Sequence, residues 1–410
     1  MQSVCLYFQV HQPYRLRPFS FFDIGGNQAY EDEENNRAIL NKIADKCYLP
    51  TNAILLSLIK EHQGDFRLAF SLTGVVMEQL EKYRPDVLES FQRLARTGCV
   101  EFLSETYAHS LAFIFSRREF REQVEQHREK IQSLFGRQPV TFRHTELIYN
   151  NDLAGLVEEM GYQAILAEGA DNILGWRSPN LLYRPAGCTR IKLLLKNYRL
   201  SDDIAFRFSD SRWVEYPLLA DKFAHWLHQL PAGGEVVNLF MDYETFGEHQ
   251  WQETGIFDFL AALPREIIKH NGFRFQTPAE VARDHEPVAQ LDVPELTSWA
   301  DTERDLSAWM GNAMQMDALQ SLYALEDAVR RAKDPALKRD WSHLQTSDHF
   351  YYMCTKWQED GDVHKYFNPY ESPYDAYINY MNVLDDFSGR LLKSSAKLQI
   401  KGDLSYEDTE

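Results

Sequence analysis

The feature that most constrains this chain is a repeated alternation: short apolar runs, each followed by a stretch of helical character. The runs are Val4–Val10, Phe66–Thr73, Val100–Glu105, Val140–Arg143, Ala164–Ala167, Ile191–Leu195 and Val236–Met241. An eighth, Phe273–Gln276, precedes Thr277-Pro278 and reads as a further strand or a closing element. Between them, Thr51–Gln63, Val75–Arg96, Arg117–Phe135, Asn151–Met160 and Leu218–Leu230 carry helical patterns. In one of these, Phe120, Val124, Ile131 and Leu134 stand among charges at the spacing of a single helix face. Strands alternating with helices of this length imply a parallel sheet. Seven or eight such units over ~280 residues predict a closed βα barrel rather than an open sheet.

The pattern changes near Asp284-His285-Glu286-Pro287. From Thr297 onward only helical stretches follow: Thr302–Met316, Ala318–Ala332, Ala336–Met353 and Asp375–Leu392. The expected organisation is therefore a barrel over residues 1–287, a helical bundle region over 288–393 and a polar tail over 394–410. At 410 residues and 44% hydrophobic content, such a chain builds a large core without disulfides. Its five cysteines are scattered and contain no CxxC pair, which reads as reduced buried thiols. With 43 basic against 61 acidic residues, the net charge of −18 excludes a phosphate-backbone or anionic-membrane binder. No leader pattern or membrane-length apolar run is seen, so the expected location is the cytoplasm.

In a βα barrel the chemistry collects where strands end. The first run ends in Gln9-Val10-His11-Gln12-Pro13 and the third in Ser104-Glu105-Thr106-Tyr107-Ala108-His109. The fourth ends in Arg143-His144-Thr145-Glu146, and the seventh in Asp242-Tyr243-Glu244 followed by Glu248-His249. Four runs thus place carboxylates or imidazoles at one mouth. Two carboxylates on different strands can flank a glycosidic bond, at about 5–5.5 Å for a retaining reaction and about 6.5–9.5 Å for an inverting one. The residues alone leave the pair open among Glu105, Glu146, Asp242, Glu244 and Glu248. A strand-end glutamate also has a plainer use, such as pairing Glu146 with Arg143. Among the tryptophans, Trp176, Trp309 and Trp357 read as core, and Trp251, after Glu248-His249-Gln250, reads as a ring platform for a sugar.

Longer runs carry a resemblance. Phe8–Pro13, Glu101–Thr106, Phe142–Asp152, Phe240–His249 and Thr277–Glu280 resemble, in order, the five motifs of glycoside hydrolase family 57. Ser298–Trp309 looks like the helical region of that family's α-amylase-type members. The resemblance implies a distorted (β/α)7 barrel followed by an α-helical bundle, with retaining action on α-1,4-glucans. On the matching positions Glu146 would be the nucleophile and Asp242 the general acid/base. Asp242 would need a raised pKa, supplied by the like charge of Glu146. His11 and Glu105 would line the sugar site, joined by Asp348 from the helical region; beside them, Gln9, His144 and Trp251 are read from their own positions as further substrate-binding residues. Gln9 stands where many members carry histidine, and it can still hydrogen-bond a hydroxyl.

No metal and no cofactor is called for, and the expected partner is an α-glucan oligosaccharide or polysaccharide. The same residues also serve a 4-α-glucanotransferase or a branching enzyme. Two further alternatives are a metal-dependent, deacetylase-like hydrolase, which needs an Asp and two His on one ion, and a non-catalytic glucan-binding protein.

Overall fold

The computed structural model describes all residues except 27–28, 231–233, 271, 357–366 and 408–410, and no side chain beyond 394. Trp357 therefore lies outside the described residues. The chain divides into two compact units. One comprises Met1–Gln12, Ala38–Tyr107 and Glu122–Asp305; the other comprises Pro13–Arg37, Ala108–Arg121 and the chain from Leu306 onward.

In the first unit, β1 (Gln2–Val10), β2 (Leu68–Leu72), β3 (Val100–Phe102), β4 (Thr141–Arg143), β5 (Ala164–Glu168), β7 (Lys192–Lys196) and β8 (Val236–Asp242) close a parallel ring. β3 meets β4 through the bridge between Ser104 and Phe142, and β8 returns to β1 over seven paired positions. These are the seven runs read from the sequence, displaced by a few residues at their ends. β9 (Phe273–Phe275) is no eighth stave: it pairs with Gln2–Val4 of β1, below the point where β2 begins. β6 (Tyr183–Pro185) runs antiparallel to β7 and carries β10 (Ala289–Leu291) on its other side. Neither is an apolar run in the sequence: β6 is Tyr183-Arg184-Pro185 and β10 is Ala289-Gln290-Leu291.

Helices connect the staves. Arg117–Phe135 has the expected bounds. Val75–Arg96, expected as one helix, is two, Gly74–Tyr83 and Pro85–Arg96. The break is at Arg84 (φ −139°, ψ 62°), because proline clashes with a helical residue before it.

Strand residues alternate between the two faces of a sheet. Cys5, Tyr7, Ala69, Leu103, Leu166, Leu194 and Phe240 therefore fall together inside the ring as its apolar plug. Tyr7 stacks on Phe240 at 4.7 Å. One inward step further up the same staves come Gln9, Ser71, Glu105, Glu168, Lys196 and Asp242, and β4 adds Arg143. Every one of these is polar or charged. The barrel is thus a dry plug topped by a buried ionic layer.

The loop after β8 is pinned by Gly247. Its φ is +114°, and a Cβ there would lie 2.1 Å from the Lys46 carbonyl oxygen. Gly247→Ala should cost about 3 kcal/mol and lower Tm by roughly 3–6 °C. Gly255 is left-handed too (φ +83°) but has nothing within 4 Å of the added carbon, so Gly255→Ala should lose less. Equal losses in melting followed by circular dichroism would show that the dihedral, not the close approach, is what matters.

The second unit is helical among its described residues: Ser307–Met310, Ala313–Ala324, Glu326–Arg331, Pro335–Leu344, Ser347–Tyr351 and Pro373–Glu407. Trp309, Leu319, Leu322, Phe350, Tyr380 and Phe387 are buried. Glu119 accepts from Arg330 (2.9 Å) and Gln345 (3.0 Å), so a buried charge is met by donors of the same unit.

Candidate active site

The ionic layer is where buried charge has to be explained. Arg143 is fully buried, 3.6 Å from Glu105, and its guanidinium faces the rings of Phe240 (5.3 Å) and Trp299 (5.5 Å). Burial pulls the guanidinium below its ordinary range, while the charges of Glu105, Glu146 and Asp242 act against that pull. Three carboxylates from three different staves therefore act on one cation. None of Arg143's three side-chain nitrogens, and neither amide atom of Gln9, meets a hydrogen-bond partner although all are buried. Buried polar groups are normally satisfied, so these inward valences suit a ligand rich in hydroxyls.

Glu146 follows β4 in a tight turn, Thr145–Leu147. Its backbone is left-handed (φ 57°, ψ 26°), and Leu147 is as well (φ 49°). Such a conformation costs on the order of 1–3 kcal/mol per residue without glycine and persists only where surroundings enforce it. Here the next strand-like contact does so: Tyr149 and Thr297 exchange backbone hydrogen bonds of 3.0 and 2.9 Å. That pairing lays Trp299 against the turn. Its backbone N–H donates to the Glu146 carbonyl oxygen (3.2 Å), and its indole Nε1–H donates to Glu146 Oε2 (2.8 Å). The Trp299 ring stacks on Phe240 at 5.2 Å, two residues before Asp242.

Asp242 closes β8 and is the strand partner of Gln9. The two neighbouring acids have other duties. Glu244 is buried, receives the Tyr48 hydroxyl (2.5 Å) and the Gln12 amide (3.3 Å), and its carboxyl is pushed up to about 8, first by burial and then by the charge of Asp242. Glu248 pairs with Lys42 at 2.6 Å.

The remaining expected residues fall as follows. Glu105 is buried and accepts from Ser71 (2.7 Å). His11 Nδ1 lies 3.0 Å from Thr73 Oγ1, and His144 is buried with Nδ1 3.1 Å from the Thr145 carbonyl oxygen. Gln9, His11, Glu105, His144, Glu146 and Asp242 all stand at or just past strand ends of the first unit. Trp251 is 57% exposed, beside the turn Gln252–Thr254, and no ring or hydrogen bond ties it to those residues. Asp348 belongs to the second unit, in the first turn of Ser347–Tyr351. Trp309 is core as expected, but Trp176 is 90% exposed. It sits in a turn between Gly175 and Pro179, where its ring meets the Arg177 guanidinium at 5.4 Å.

Sequence reasoning missed Arg143 as more than a partner for Glu146. It also missed Trp299 and the buried pair Lys196–Glu168 (3.3 Å), which Arg304 joins at 3.6 Å. A signal was present. Glu168 on β5 and Lys196 on β7 fall in phase with the inward apolar residues Leu166 and Leu194 below them. Among the described residues, no group of three or more His, Cys, Asp or Glu side chains is placed to hold a metal ion. Nor is any described helix long and apolar enough to cross a membrane.

A family model described as glycosyl hydrolase family 57 matches residues 5–294. A protein of Methanocaldococcus jannaschii named "Putative alpha-amylase" is 45% identical over 405 residues, 95% of this chain and 85% of that one. Among solved structures, a branching enzyme of Thermococcus kodakaraensis superposes with a TM-score of 0.69 at 15% identity, over 95% of this chain and 90% of that one. An α-amylase of Thermotoga maritima gives 0.61 at 13% identity, over 96% and 95%. A 4-α-glucanotransferase of Thermococcus litoralis gives 0.64 at 15% identity; the match covers 85% of this chain and 56% of that one. At these identities the structural likeness is one of fold: the distorted (β/α)7 barrel with its helical region. The family match over most of the chain and the 45% identical relative establish that this protein belongs to glycosyl hydrolase family 57.

Proposed function

We propose that this enzyme hydrolyses α-1,4-glucan oligomers with retention, using Glu146 as nucleophile and Asp242 as general acid/base. The observation that carries the reading is the grouping of Glu105, Glu146 and Asp242 around the buried Arg143, at the C-terminal ends of their strands. In the first step a Glu146 oxygen bonds to the anomeric carbon. The bond from that carbon to the leaving oxygen breaks, and Asp242 gives the leaving oxygen its proton. The result is a β-linked glycosyl-enzyme. Asp242, now ionised, takes a proton from water, whose oxygen attacks the anomeric carbon and releases Glu146 with the α configuration restored.

Gln9, His11, Glu105 and His144 are suited to hold sugar hydroxyls. Trp251 offers an exposed ring for an apolar sugar face. The reading places the enzyme in the cytoplasm, in keeping with cysteines held as thiols, four of them (Cys5, Cys47, Cys99 and Cys188) buried.

The test is the product profile from maltoheptaose in the presence of a chelator. Shorter oligomers alone are expected. Longer products would mean transfer to a sugar acceptor, the reaction of a glucanotransferase or branching enzyme. Loss of activity with chelator and recovery with zinc would favour metal-assisted hydrolysis. An unchanged substrate would leave glucan binding without catalysis.

A further inference from the structure

Trp299 reaches Glu146 from 153 positions along the chain. It engages Glu146 twice, once through the backbone and once through the indole N–H on carboxylate Oε2. Two bonds to one residue fix both the left-handed turn and the rotation of the carboxylate it presents.

Trp299 is itself held on every side. Its ring lies on Phe240 and within cation–π reach of Arg143 (5.5 Å) and Lys196 (5.3 Å). Its loop is crimped by two left-handed residues, Asp301 (φ 49°) and Arg304 (φ 54°). The loop closes on itself through Ser298 N–H to the Arg304 carbonyl oxygen (2.9 Å) and Ser298 Oγ–H to the Asp305 carbonyl oxygen (2.5 Å). The Arg304 guanidinium donates to the Trp299 carbonyl oxygen and reaches Glu168, at the head of β5, at 3.6 Å. A continuous buttress thus runs from β5 through Glu168, Arg304 and Trp299 to Glu146. Strained backbone that surroundings hold in place is a common property of functional sites.

We infer that Trp299 is the positioning residue for the Glu146 carboxylate, and that the Arg304–Glu168 pair sets the position of Trp299. The inference rests on the reading of Glu146 as nucleophile and adds a residue from outside the strand ends to the machinery. The indole transfers no proton. It holds one carboxylate oxygen against the aromatic wall and favours the ionised form that attacks, since a donor bonded to the charged state stabilises it.

The cleanest variant replaces the indole with its benzothiophene isostere by incorporating 3-benzothienylalanine at position 299. This keeps ring shape and stacking and removes only the N–H. Trp299→Phe and Arg304→Met accompany it. The readouts are kcat and KM on maltoheptaose, the pH profile of kcat/KM, and mass-spectrometric identification of the peptide labelled by a fluorinated maltosyl fluoride. The isostere should label Glu146 more slowly, lose roughly 10–100-fold in kcat with KM nearly unchanged, and move the acid limb of the profile to higher pH. Arg304→Met should move both in the same direction by less. If the isostere labels Glu146 at the unmodified rate and its acid limb stays in place, the positioning role is wrong although the nucleophile is right. If the label falls on another residue, the nucleophile assignment fails and takes this inference with it.

Discussion

Glu146→Ala should abolish turnover of maltoheptaose, with kcat falling by roughly 10⁴-fold or more, because removing a nucleophile removes the covalent path and not merely a contact. The fold should survive. The substitution takes a carboxylate from a layer where Glu105 and Asp242 remain beside Arg143, and it leaves the backbone bond between Trp299 and residue 146 in place. Alanine tolerates the left-handed turn less well than glycine, so Glu146→Gly serves as a second variant with the turn relaxed.

Azide separates the two acids. In Glu146→Ala the anion fits the space of the lost carboxylate and attacks the anomeric carbon from the β face. Asp242 is intact and still protonates the leaving oxygen, so part of the activity returns and the product is a β-glycosyl azide. In Asp242→Ala, azide instead attacks the glycosyl-enzyme and gives the α-linked product. An α-glycosyl azide from Glu146→Ala together with a β-glycosyl azide from Asp242→Ala would exchange the two roles. Product configuration by proton NMR decides between them.

The staves and their chemistry were legible for the same physical reason. A stave buried on both faces must be an apolar run, and a carboxylate that breaks the run must sit at its exit or be paired. That reasoning located Glu105, Glu146 and Asp242 from the sequence. It could not choose the pair; the choice came from the longer runs around Glu146 and Asp242, which resemble a family, not from spacing. β6 and β10 escaped because neither is an apolar run: β6 is Tyr183-Arg184-Pro185, and β10 is Ala289-Gln290-Leu291 with its first two residues exposed.

What sequence could not supply was partnership across distance. Nothing near Trp299 indicates that its indole meets a carboxylate 153 positions earlier. Trp176 shows the converse error: a large ring reads as core, yet a turn flanked by Gly175 and Pro179 gives it nothing apolar to pack on. Arg143 was visible only as a neighbour of Glu146. Its position at the head of β4, in phase with the inward side chains of the other staves, turns that neighbour into the centre of the charged layer.

That placement gives Arg143 the second large effect. Arg143→Met keeps an unbranched chain of similar reach and removes the charge. Glu105, Glu146 and Asp242 would then share a buried space without their central cation. Like charges in such a space favour protonation, and a protonated Glu146 cannot attack. We expect kcat/KM to fall by about 10²–10³-fold near neutral pH, the scale of removing one preorganised electrostatic contact. The loss should shrink as pH rises, because alkali restores the carboxylate that the missing cation no longer favours. Stability should fall too, by about 3–5 kcal/mol, since breaking a buried pair strands its partner Glu105. Arg143→Lys returns charge without the planar face that lies against Phe240 and Trp299, so it should recover most of the melting temperature and only part of the rate. Adding Glu105→Gln to Arg143→Met removes the stranded charge. The double variant should therefore be more stable than Arg143→Met alone, a coupling that a thermodynamic cycle measures directly. An Arg143→Met enzyme within threefold of the parent across the pH range would show that the carboxylates do not depend on this cation, and the electrostatic account of the site would have to be abandoned.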